Sequence, residues 1–156
     1  MTSSETGRLR FVRIQEMHLP DIMAIEREAY PEPWTEGMFR QEIHSGLSHF
    51  YVAFFEEVLV GYVGFWQAAD EAHITSVTVH RDYRKRAFAR EELTFILEQA
   101  AALGLTKATL EVRASNLGAQ QIYLKAGFQQ VGRRKGYYTR TNEDAIVMVK
   151  QLVNSE

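Results

Sequence analysis

Glu111, Asn116 and Tyr123 are the residues of this chain whose types and spacing could do chemistry. Glu111 sits in the run Leu110-Glu111-Val112-Arg113, a strand pattern in which its side chain points away from the face taken by Leu110 and Val112. Asn116 and Tyr123 lie in a helical stretch closed by Gly127, on one face and about 10 Å apart along the axis. A carboxylate that accepts a proton and a phenol that keeps one at neutral pH could act as base and acid on a shared substrate. Each also has an ordinary reading. Asparagine is a good N-cap, and Tyr123 could be a core aromatic with its hydroxyl at the surface. If protein covers its face of the sheet, Glu111 is partly buried and its pKa should rise; if the face is open, it is a polar partner for a neighbouring strand.

The elements that must position these groups follow from periodicity. Leu9 to Ile14 is a short strand. Ile22, Ile25 and Ala29 have helical spacing, and Pro31-Glu32-Pro33 ends that helix. A second helix spans about Thr35 to His44. His49 to Phe55, Val58 to Gln67 and His73 to Val79 are rich in β-branched and aromatic residues and read as three strands, the first two joined by a tight turn at Glu56-Glu57. A long helix to about Leu103 carries Leu93, Ile96, Leu97, Ala100 and Ala101 on one face, with Gly104 as its stop. Thr106 to Val112 is a strand, Asn116 to Ala126 a helix, Phe128 to Val131 a strand start and Ala145 to Leu152 a last strand. The expected fold is mixed α/β in the order β-α-α-β-β-β-α-β-α-β-β, a central sheet of about seven strands flanked by about four helices.

Composition narrows the function classes. The 156 residues suit one domain, with a core over about 9–150 and loose ends at 1–7 and 152–156. Hydrophobic residues make up 46% and aromatics 12%, which fits a packed core. The formal charge of -2 gives no general drive toward nucleic acid or anionic membrane. The absence of cysteine excludes disulfides, thiolate metal sites and a cysteine nucleophile. His18, His44, His49, His73 and His80 have no metal-binding spacing, so no metal is expected. No apolar run approaches the roughly 20 residues that span a bilayer, and the polar start lacks a signal peptide's apolar core. A cytoplasmic protein is expected.

Leu-Glu-Val-Arg-Ala-Ser-Asn at 110–116, followed by Ala119, Tyr123, Gly127-Phe128 and Gly132-Arg133-Arg134-Lys135-Gly136-Tyr137-Tyr138, resembles the GNAT acetyltransferases. It is most similar to the bacterial N-terminal alanine acetyltransferases that modify a small-subunit ribosomal protein. Glu143-Asp144-Ala145-Ile146-Val147-Met148, and Pro33-Trp34-Thr35 after Ile25, Glu26 and Ala29, match the same group. The resemblance implies a GNAT fold and acetyl transfer from acetyl-CoA to the N-terminal α-amine of a protein, a ribosomal protein beginning with alanine. It implies Glu111 as general base, Tyr123 as general acid and Asn116 as a cofactor contact. The strand around Val77, Thr78 and Val79 would lie along the pantetheine arm. Tyr30, Pro33 and Trp34 on one wall, with Tyr137 and Tyr138 in the turn between the last two strands, would flank the peptide.

The phosphate loop departs from that family's pattern. Arg84, Lys85, Arg86, Ala87, Phe88, Ala89 and Arg90 occupy the cofactor-binding loop; Ala87 replaces the usual glycine, and Glu91 and Glu92 replace small apolar residues. Alanine keeps its N–H. With a negative φ the exchange costs little; with a positive φ it costs on the order of 1–2 kcal/mol. Neither glutamate need be buried, and both would repel a pyrophosphate, but the cations outnumber them, so cofactor binding should be weakened and not abolished. Two other functions fit the chain: a GNAT acting on a small amine, and a catalytically silent GNAT-like binding module. The basic cluster alone is weak support for nucleic-acid binding.

Overall fold

The computed structural model describes residues 3–6 and 8–152. Its strands are β1 (Ser3–Thr6), β2 (Leu9–Arg13), β3 (Ser48–Phe55), β4 (Val58–Ala68), β5 (Glu71–Val79), β6 (Lys107–Arg113), β7 (Gln129–Tyr138) and β8 (Glu143–Gln151). The helices are α1 (Leu19–Ala29), α2 (Glu36–His44), α3 (Phe88–Ala102) and α4 (Leu117–Lys125). All eight strands form one sheet in the order β1-β2-β3-β4-β5-β6-β8-β7. The expected order is present with one strand added in front. Residues 1, 2, 7 and 153–156 of the expected loose ends lie outside the described residues. Ser3–Thr6 is not loose, because it pairs antiparallel with β2. Leu152 is not loose either: it is buried, and its N–H bonds the Thr106 carbonyl.

Alternation along the strands divides the core between the two faces. On β3, Phe50 and Val52 join the cluster under α1 and α2 with Ile22, Ile25, Phe39 and Tyr62. Ala53 joins the opposite cluster, with Leu93, Phe95 and Ile96 of α3. Local signals set the helix ends. Pro20 stands in the first turn of α1, and the Tyr30 N–H bonds Glu26 O before Pro31 ends the run. Thr35 caps α2 by accepting from Met38 N at 3.2 Å.

Two irregularities shape the cleft. Gly64 pairs with Ser76 and Phe65 with Ile74, so Thr75 is an extra residue that bends β5. Then β5 and β6, the parallel pair, are in register only at Glu71–Lys107, Ala72–Ala108 and His73–Thr109. Beyond His73 the two strands part, and the β6-facing edge of β5 has no strand partner among the described residues.

The turn at the far edge needs correction. Tyr137 and Tyr138 are not in the turn but end β7, which runs ten residues. The chain from Arg133 to Gly136 resembles a turn in sequence, with its charges and glycines. It remains a strand because β7 is an edge, where polar side chains face solvent on both sides. Gly136, at φ +61, bulges the strand, and Asp144 on β8 fixes the bulge by accepting from Gly136 N at 2.9 Å and Arg133 Nε at 2.8 Å.

Candidate active site

The parting of β5 and β6 opens a cleft of about 330 Å³. Ile74, Thr75, Ser76 and Val77 line it from β5, Leu110 to Arg113 from β6, and Asn116, Ala119 and Tyr123 from α4 and its cap. Tyr30, Pro31, Glu32 and Trp34 form one wall, and Tyr137 and Tyr138 the other. The cleft thus brings together Glu111, Asn116, Tyr123, Val77, Tyr30, Trp34, Tyr137 and Tyr138. It does not include Pro33, and Thr78 and Val79 are buried with side chains outside it.

Glu111 is half-buried with its neighbours Leu110 and Val112 in the core. Its Oε1 lies 2.7 Å from His73 Nε2, and its Oε2 3.9 Å from Arg134 Nε. The expected upward shift is not what the surroundings produce. The hydrogen bond to His73 outweighs burial and, with the charges of His73 and Arg134, holds the carboxyl below its usual range. The same bond raises His73 against the opposing effects of burial and Arg134. Sequence did not single out His73, because contact with Glu111 depends on a parallel register that no local pattern encodes.

Asn116 is the N-cap of α4, accepting from Ala119 N at 3.1 Å, and it also faces the cleft. Two helical turns on, the Tyr123 ring packs edge-on to Phe128 with centroids 5.8 Å apart. Its hydroxyl makes no hydrogen bond to protein among the described residues, and burial pushes its pKa upward. It therefore keeps its proton at neutral pH.

The walls are braced from behind. Glu26 is buried, accepting from the Tyr62 hydroxyl at 2.6 Å and Trp34 N at 2.9 Å. Burial raises its pKa despite those bonds. Trp34 meets Phe39 at 4.9 Å between centroids, so it pins its loop to the core and lines the cleft as well. Tyr30 shares a 2.6 Å hydrogen bond with the Thr78 hydroxyl, and burial pushes its pKa up to about 12. Glu32 accepts from Arg113 Nη2 at 3.3 Å and Arg140 N at 3.2 Å, while Arg140 Nη1 donates to Pro31 O at 2.6 Å. The Arg113 guanidinium lies 3.9 Å from the centroid of the Tyr138 ring. The α1–α2 loop and the β7–β8 turn are thereby tied across the mouth of the cleft.

At the start of α3 the backbone is left-handed at both Lys85 and Ala87, each with φ 66. The costlier branch for Ala87 therefore applies. The first N–H groups of α3 have no intrahelical partner, and with the positive end of the helix dipole they suit an anion. Arg84, Lys85, Arg86, Ala87 and Arg90 are exposed and Ala89 partly so; Phe88 is a core residue and offers the loop only its backbone. Arg84 is already engaged, donating to Val79 O at 3.0 Å and Glu28 Oε1 at 3.2 Å. The glutamates behave unlike the expectation. Glu91 turns away from the loop, accepting from Arg8 N at 2.9 Å and Leu9 N at 3.2 Å on the β2 side. Glu92 is fully buried, and neither oxygen has a hydrogen-bond partner among the described residues. A Cβ on Gly61 would stand 2.2 Å from Thr78 O and 2.3 Å from Glu92 Oε2, so the bare glycine makes room for this carboxyl. Burial, with Glu91 adding to it and the Thr78 backbone opposing, keeps Glu92 uncharged far above the usual range. Neither glutamate presents a charge to a pyrophosphate.

A cleft between splayed strands, a free strand edge beside it and an N–H-rich turn opening the next helix together fit a thioester carrying a pyrophosphate. The model of the Acetyltransferase (GNAT) family matches residues 19–128, and the chain belongs to that family. It is an acyltransferase that uses acetyl-CoA. A Bacillus subtilis (strain 168) protein, to which the activity of a ribosomal protein bS18-alanine N-acetyltransferase is ascribed, is 34% identical over 139 residues, 86% of this chain and 92% of the relative. The [ribosomal protein bS18]-alanine N-acetyltransferase of Escherichia coli (strain K12) is 30% identical over 132 residues, 83% of this chain and 88% of the relative. Among solved structures, the Escherichia coli ribosomal-protein-S18-alanine N-acetyltransferase superposes with TM-score 0.86 at 25% identity, over 95% of this chain and 96% of that one. No helix among the described residues is long and apolar enough to cross a membrane.

Proposed function

We propose that this protein transfers the acetyl group of acetyl-CoA to the N-terminal α-amine of a ribosomal protein beginning with alanine, with Glu111 as general base and Tyr123 as general acid. The observation that carries the reading is the placement of these two groups. A half-buried carboxylate on β6 and a protonated phenol on α4 face one cleft, between aromatic walls that a peptide end can enter. The names of the relatives supply the ribosomal protein and the alanine.

An α-ammonium has pKa about 7.7–8.0, so most of it must lose a proton before it can attack. Glu111 is ionised and accepts that proton, directly or through a water. The neutral amine then attacks the thioester carbon, and the backbone N–H groups of β5 around Val77 polarise the carbonyl. Collapse expels a thiolate whose conjugate acid has pKa about 8.5, and Tyr123 protonates it. No enzyme nucleophile is required. Asn116, with the backbone of the loop from Arg84 to Arg90, holds the co-substrate; Tyr30, Trp34, Tyr137 and Tyr138 shape the entry for a small first side chain.

The test is mass spectrometry of peptides with different first residues, and of spermidine as a small amine, each incubated with acetyl-CoA. Acetylation of the α-amine of the alanine peptide is the expected result. Acetylated spermidine with unmodified peptides would move the assignment to small amines, and no product from any amine would make the chain a binding module. Glu111→Gln is expected to lower kcat at pH 7 by roughly 10²–10⁴-fold. Activity equal to wild type would remove Glu111 from the role of base.

A further inference from the structure

His73 has no role in the reaction as described, yet it is placed where a proton must leave the site. It is the last residue of β5 paired with β6 before the strands part, and its Nε2 lies 2.7 Å from Glu111 Oε1. Glu111 lines the cleft and His73 does not. The side chains are 12% and 40% exposed respectively, so the path from cleft to carboxylate to imidazole leads outward to solvent. We infer that His73 is the second station of the proton path, taking from Glu111 the proton that the substrate amine gives up and releasing it to water. The inference rests on Glu111 being the base.

The balance is simple. One N–H bond of the ammonium breaks, and a proton is added to the pair formed by Glu111 and His73. Protonated Glu111 passes its proton to the Nε2 lone pair of the Nδ1–H tautomer, which regenerates the carboxylate beside an imidazolium. The imidazolium then loses its Nδ1 proton to water, and the ring returns to the Nδ1–H tautomer by exchange with water before the next turnover. No other reactant is consumed. Glu111 alone is a poor final acceptor, because an ordinary carboxyl, near 4.3, lies more than three pK units below the amine. An imidazole at about 6.5 closes most of that gap, and its contact with the carboxylate raises it further. The groups facing the pair are Arg134, Tyr137 and Tyr138 from β7. Across β4 the partner of His73 is Trp66, which is uncharged and donates to Glu42 at 2.9 Å. Arg134 opposes protonation of His73 and supports ionisation of Glu111, so it helps the pair to reset. Two groups this close titrate as a unit, and the kinetics should report the pair.

The experiment compares kcat at saturating acetyl-CoA and alanine-first peptide, from about pH 5.5 to 9, for wild type, His73→Gln and Glu111→Gln. Glutamine keeps a polar group near Nε2 but cannot take up a proton. The expected result for His73→Gln is a fall in kcat of about tenfold or more at pH 8 and an acid limb moved down by about one pH unit or more. A merely structural histidine predicts a uniform loss with the limb unmoved, and that outcome, or a wild-type profile, overturns the inference. Glu111→Gln separates the two layers: full activity there removes the base itself, whereas an inactive Glu111→Gln beside an unmoved His73→Gln limb removes only the relay. If His73→Gln fails to fold, NMR titration of the His73 ring in wild type bound to CoA and acetylated peptide decides. Its midpoint must coincide with the kcat limb, and a separation of more than about one pH unit refutes the relay.

Discussion

Ala87→Gly tests whether the unusual phosphate loop stores its strain in the fold or in the binding step. Ala87 has φ 66 and ψ 17 at the N-cap of α3. A non-glycine residue in this region costs roughly 1–2 kcal/mol, and glycine removes that cost. Glycine also enlarges the freedom of the unfolded chain, which offsets about 0.4–1 kcal/mol. The net gain in folding stability is therefore between about 0 and 1.6 kcal/mol, centred slightly below 1. Because the left-handed turn is already formed without ligand, the relief applies equally to free and bound protein. The Kd for acetyl-CoA should then change by less than about threefold. Urea denaturation should show a higher midpoint with an unchanged m-value, and isothermal titration should give nearly equal affinities. A less stable glycine variant would refute the strain. Affinity tightened by about tenfold or more would show instead that the free loop avoids the left-handed turn and that binding must impose it.

Tyr123→Phe should lower kcat by roughly 10²–10⁴-fold while leaving stability unchanged, because the lost hydroxyl has no protein partner among the described residues and the ring keeps its contact with Phe128; a variant with wild-type kcat in a coupled thiol assay removes the acid assignment. Glu92→Gln should gain on wild type as pH rises. The native state of wild type holds this carboxyl protonated while the unfolded chain ionises it above about 4.3, so wild type loses on the order of 1 kcal/mol per pH unit until the folded pKa is reached. Urea curves for the two proteins at pH 5 and at about pH 7 should therefore diverge, and a constant difference would show that Glu92 is charged in the fold. Glu32→Ala unties the loop after α1 from Arg113 and Arg140; it should raise KM for peptide more than it lowers kcat, and an unchanged KM would mean that the tie does not shape the entry.

Sequence pattern located the strands and helices because each buries one regular face, and periodicity records burial directly. The bearing of Glu111 between Leu110 and Val112 followed from the same alternation. What escaped the pattern depends on contacts between distant segments. Glu92, charged in type, is buried because Gly61, 31 positions earlier in the chain, leaves space beneath β5. Glu91 turns toward the β2 backbone and not toward the loop. His73 acquires its importance only from a parallel register with β6. On β7 the misleading signal was local: charges and glycines signify a turn in most settings, and only an edge position lets them continue as strand.

The parting of β5 from β6 has a mechanical consequence. Among the described residues, β5 and β6 are joined by three residue pairs, with the Thr106 N–H bond to Asp70 O beside them; beyond these the halves hold together through side chains such as Leu110, Ile146 and Ile96. Backbone amides near this seam are the ones whose hydrogen exchange should report partial opening, below the free energy of global unfolding. A ligand lodged in the cleft touches both halves and acts as a removable rivet, adding stability by RT ln(1 + [L]/Kd). The lifetime of the protein against proteases then tracks the supply of acetyl-CoA.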